Sequence, residues 1–74
     1  MNWQPIETAP KDRPILLLWP AGTLVERTLV SVGRWFALAP RPYWTCQYAE
    51  SLGVRLVRAY PPTQWCEIHY PEPG

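Results

Sequence analysis

The residues with the widest chemical range in this sequence lie near its end, in Cys66-Glu67-Ile68-His69, with a second thiol upstream at Cys46 and His69 as the sole histidine. Zn²⁺ takes four N or S donors in a tetrahedron, and C-x₂-H plus one distant cysteine supplies three, with Glu67 or water left as the fourth. Structural zinc motifs typically carry paired C-x₂₋₄-C spacing, which is missing, so the expectation is two unconnected thiols, no metal and no cofactor. A nucleophilic Cys–His pair needs both groups in one formed cleft. Residues three apart on an extended strand are separated by ~10 Å and point to opposite faces, which argues against Cys66 and His69 as that pair. The carboxylates are scattered, several in turns, and 74 residues leave little volume for a pocket that excludes water. Neither G-x-G-x-x-G nor G-x₄-G-K-[ST] occurs, so no phosphate-cradling loop is present. No catalytic set is assigned, and a non-enzymatic role is expected.

What remains is a vocabulary of binding. Six of the seven basic residues are arginine. Interface hot spots are rich in Trp, Tyr and Arg, which combine large rigid area with forked hydrogen bonding. Arg34, Arg41, Tyr43, Trp44, Arg55 and Arg58 are expected to face outward and contact a partner. The plainer alternative places Trp44 in the core with arginine stems lying over it. Aromatics interleaved with arginine also suit stacking on single-stranded bases. Against that, 7 basic and 6 acidic residues leave a net charge of +1, which gives no electrostatic footprint for nucleic acid.

The elements that must position these groups are short. A domain of this size buries only roughly 60 to 65% of the surface its unfolded chain exposes, so its core is thin. Five Trp, four Tyr and one Phe supply large buried area with few rotors to freeze. Ten prolines and four glycines cut the chain into pieces with no sustained helical apolar repeat. The pattern predicts one mostly β domain over 1–74: four or five antiparallel strands in a small sheet or SH3-like partial barrel, with at most one short helix. Strands are expected at Ile15 to Trp19, Thr23 to Thr28, Leu29 to Phe36, Val54 to Tyr60 and Thr63 to Ile68. Tyr43 to Leu52 is the one candidate helix, stopped by Gly53, with an irregular loop as its rival. In L-V-S-V-G-R-W-F, alternation sets Val30, Val32, Arg34 and Phe36 on one face and Leu29, Ser31, Gly33 and Trp35 on the other. Gly33 marks a bulge or a close approach of another side chain. The tail H-Y-P-E-P-G reads as extended, because residues before proline avoid the helical region.

Two cysteines allow one disulfide at most, where small secreted domains usually carry several, so both are read as reduced thiols. The start has no basic segment followed by an apolar one, and the longest apolar run, Ile15 to Trp19, falls far short of the ~20 residues that span a bilayer. A cytoplasmic protein without a membrane partner is expected.

The stretch W-x-P-I-E-T-A-P-K-D, a strand I-L-L, a central G-x-W and a closing P-T-x-W with P-x-P together resemble a small family of phage and prophage proteins of unknown function. The matching residues are Trp3, Pro5 to Asp12, Ile15 to Leu17, Gly33, Trp35, Pro62, Thr63, Trp65, Pro71 and Pro73. Arg13 stands in place of the family's glycine, Gln64 in place of its histidine, and C-E-I-H in place of x-P-L-P. The resemblance implies phage origin, and hence the host bacterial cytoplasm, together with a compact β-fold. It also prompts a structural expectation: Trp3, Pro5, Trp35 and Trp65 form a clasp in which two proline-stiffened arms close one end of the sheet, while Glu7, Thr8 and Asp12 organise the turn. The function expected is that of a phage-encoded module binding a host or phage protein, such as an inhibitor of a bacterial defence complex of anti-CRISPR or anti-restriction type. A single-stranded nucleic-acid-binding barrel and a structural or accessory phage component are the alternatives. The protein is expected as a monomer or small homodimer.

Overall fold

The computed structural model describes residues 2–38 and 40–69. Its strands are β1 (Gln4–Pro5), β2 (Ile15–Trp19), β3 (Leu29–Phe36), β4 (Tyr43–Cys46) and β5 (Gln64–Cys66), with helices α1 (Ala49–Leu52) and α2 (Val54–Ala59) and a 3₁₀ turn at Ile6–Thr8. I-L-L-L-W has no polar side chain to turn toward water, and it becomes the middle strand of five, in the order β1-β5-β2-β3-β4. All paired neighbours run antiparallel. The edge strands β1 and β4 do not pair with each other, so the small antiparallel sheet is open and no barrel closes.

Register fixes which side of the sheet each residue faces. Ile15 lies opposite Gly33, Leu17 opposite Ser31 and Trp19 opposite Leu29, and the same face continues through Trp35 opposite Trp44 and Leu17 opposite Trp65. This face is packed. Ile15, Leu17 and Trp19 are fully buried there with Leu24, Trp44, Cys46, Ala49 and Val57. Trp19 is the largest fully buried side chain, and its indole N–H donates to the Tyr60 carbonyl at 2.8 Å, which satisfies the one polar atom the ring carries inside. Val30, Val32, Arg34 and Phe36 point to the other face and stay exposed, as the alternation in β3 predicts. The close approach at Gly33 comes from β4 and β2. A Cβ there would collide with the Thr45 carbonyl oxygen and Leu17 Cδ1.

Four expected elements differ. Thr23 to Thr28 is a turn-rich loop, because Pro20 and Gly22 (φ 81°) fold the backbone on itself: the Gly22 N–H donates to the Val25 and Glu26 carbonyls and the Thr23 hydroxyl to the Pro20 carbonyl. Its one apolar anchor, Leu24, turns into the core. The stretch Tyr43 to Leu52 divides, with β4 first and only Ala49–Leu52 helical. Val54–Ala59 is a helix where a strand was expected, so there are two short helices where at most one was foreseen. The cause lies at Gly53, whose φ of 96° ends α1 and starts α2 and lets Val57 seat in the core. The last strand is trimmed to Gln64–Cys66. The expected extension of Tyr70 to Gly74 lies outside the described residues.

Candidate functional site

The two chain ends do run side by side, Gln4 opposite Trp65 and Pro5 opposite Gln64. The expected meeting of two indoles is replaced by a different fastening, because Gln4 rather than Trp3 stands opposite Trp65. No aromatic pair joins Trp3 to Trp65 among the described residues. The Trp65 indole N–H donates to Thr8 Oγ1 at 2.9 Å, and the Thr8 hydroxyl donates in turn to the Pro5 carbonyl at 2.7 Å. Trp35 packs edge to face on Trp44 at 5.1 Å, and Lys11 Nζ sits 4.3 Å above its ring. Arg13 reaches across to Glu67 in an ion pair and also contacts Asp12 at 3.3 Å. Its guanidinium is held further above its already high pKa, first by the hydrogen bond to Glu67.

The thiol chemistry is dispersed by the topology. Cys46 pairs with Gly33 on the packed face, whereas Cys66 pairs with Leu16 on the open face, with two further strands between theirs. At ~4.8 Å per strand spacing the two backbones are roughly 14 Å apart, beyond the reach of a disulfide or a shared metal. Both are free and buried. Cys66, Glu67 and His69 do line one open groove of about 550 Å³ with Thr8 and Trp65. Within it, the Cys66 thiol is directed at the Glu67 carbonyl at 3.5 Å, and no hydrogen bond links it to His69 among the described residues. Nor do three of His, Cys, Asp and Glu gather as metal ligands would, among the described residues.

The arginines converge elsewhere. An open groove of about 570 Å³ lies between the loop entering β4 and the outer side of α2, and Arg41, Tyr43, Arg55 and Arg58 line it with Pro40 and Pro42. Helical spacing puts Arg55 and Arg58 on one side of α2 while Val57 points inward. Arg58 binds the loop to the helix: its Nη2 donates to the Arg41 carbonyl at 3.2 Å and its guanidinium lies 5.2 Å from the Tyr43 ring centroid. Among the described residues every ion pair belongs to Arg13, so Arg41, Arg55 and Arg58 have no carboxylate partner there.

Two expected contact residues fall outside this groove. Arg34 projects from the open sheet face, beside a shallow hollow of about 290 Å³ with Val32 and Thr45. Trp44 is only 7% exposed and belongs to the core, because register turns it inward while Tyr43 faces the opposite way. Pro40 and Pro42 went unnoticed as site residues; as rings flanking Arg41 they carry a readable signal, a stiff segment that presents its arginine.

This frame defines a small open-sheet β protein with an arginine groove at one end. No family model, no curated protein and no solved structure matches the chain. Among the described residues no helix is long and apolar enough to cross a membrane.

Proposed function

We propose that the protein is a non-enzymatic protein-binding module that works by occupying a surface of its partner through the arginine groove. One observation carries this reading: four of the six residues picked as contacts by composition, Arg41, Tyr43, Arg55 and Arg58, line the same groove from two separate segments. Large rigid side chains and forked donors are the groups that dominate binding energy. Inhibition of a bacterial defence complex is the form of occupancy that small size and the resembled phage family support.

Affinity capture from bacterial lysate tests the reading, using the wild type beside Arg41→Glu/Arg55→Glu. Both arginines are exposed, so the double variant keeps the wild-type melting temperature. The expected result is one protein held at near-equal stoichiometry by the wild type and released by the variant. Equal recovery by both, or recovery of no stoichiometric protein, would count against it.

A further inference from the structure

We infer that the groove selects a carboxylate-rich peptide segment of its partner, a proposal that rests on the groove being the binding surface. Three arginines line a space of about 570 Å³ with no acidic residue among the described residues of its lining. Bringing three like charges together is unfavourable unless an anion joins them, and an anion seated there gains from all three. Arg58 is already braced against the Arg41 carbonyl and the Tyr43 ring, so less side-chain freedom is lost on binding. Guanidinium forks match carboxylates in paired, parallel hydrogen bonds.

Phosphate oxygens satisfy the same forks, so the choice between acidic peptide and nucleic acid turns on the rest of the groove. A single-strand binder adds aromatic faces on which bases stack. Here Tyr43 carries Arg58 over its ring and meets Phe36 edge to face at 5.7 Å, Trp44 is buried, and Trp35 is taken by Trp44 and Lys11. Among the described residues Tyr43 is the one aromatic that lines the groove, and Arg58 already lies over its ring. What remains beside the arginines is the pair of proline rings, Pro40 and Pro42, a surface that suits the apolar stems of peptide side chains. A net charge of +1 also leaves the molecule without the general field that drives binding to a phosphate backbone.

Fluorescence anisotropy with the purified protein separates the two. The probes are a short labelled peptide of alternating glutamate and glycine, the same peptide with glutamine for glutamate, and a labelled oligothymidylate. The glutamate peptide is expected to bind saturably and the glutamine peptide not to bind. Arg41→Gln/Arg55→Gln is expected to weaken the glutamate peptide roughly tenfold, since two exposed ion pairs are lost and each contributes up to about fivefold. Arg58 is left intact because it holds the loop. Tighter binding of the oligothymidylate, no saturable binding of the glutamate peptide, or an unchanged affinity in the double variant would overturn the inference. The two failures are distinct: groove-dependent capture of a partner without affinity for the acidic peptide sinks this inference alone, while peptide binding without a captured partner sinks the function proposed above and leaves the groove chemistry standing.

Discussion

Single residues divide here into those that hold the core and those that hold the ends, and Trp19 is the clearest of the first kind. It fills the packed face at the end of the central strand and spends its indole N–H on the Tyr60 carbonyl, which closes α2 onto β2. Trp19→Phe removes ring volume and the donor together, leaving the carbonyl without that partner. The expected cost is about 2–4 kcal/mol, read as a lower urea midpoint with an unchanged slope. A loss near zero would mean that the carbonyl finds water and that the core collapses around the smaller ring. Thr8 belongs to the second kind. One hydroxyl accepts from Trp65 and donates to Pro5, so a residue of E-T-A-P that looks like plain turn chemistry ties both chain ends.

At the level of elements, Gly53 decides what Val54 to Ala59 becomes. Its φ of 96° and ψ of 131° belong to a backbone region that side chains with a Cβ rarely adopt, while no atom stands within 4 Å of where that Cβ would be. Gly53→Ala therefore meets backbone strain without a clash, and roughly 1–3 kcal/mol of stability is expected to be lost, visible as a lower melting temperature. Wild-type stability in that variant would show that α1 and α2 can be joined another way. The same glycine explains what was legible in the sequence. β2 and the two faces of β3 could be read from residue types, because I-L-L-L-W and the alternation around Gly33 are local patterns. V-R-L-V-R-A reads equally well as a half-buried strand, and what holds it as a helix once Gly53 has turned the chain is Val57 docking beside β4, a contact that residue types alone do not announce. The groove shares that fate. Composition picks out Arg41, Tyr43, Arg55 and Arg58, but their convergence follows from α2 packing on β4, and the exclusion of Trp44 follows from a register that turns it inward beside Tyr43.

The whole molecule has an uneven distribution of stability, and its two thiols sit at opposite ends of it. Cys46 belongs to the central cluster with Ile15, Leu17, Trp19 and Trp44, so exposing it requires undoing the packed face. Cys66 is equally hidden, at 5% exposure, but on the other face and outside that cluster, in a three-residue strand flanked by the two-residue β1. Although β5 also pairs with the central β2 over three residues, it carries few ladder bonds, and short segments of this kind open locally without global unfolding. Alkylation of the native protein, followed by digestion and mass spectrometry, is therefore expected to modify Cys66 first, at a rate nearly independent of low urea. Cys46 should follow slowly, at a rate that climbs steeply with urea, because surface exposed on global unfolding sets that slope. Cys66→Ser should remove the fast phase and leave the slow one. Identical rates and identical urea dependence for the two thiols would mean that the sheet opens as one unit, with the Thr8–Trp65 and Arg13–Glu67 links holding the β1–β5 edge as firmly as the core holds β4.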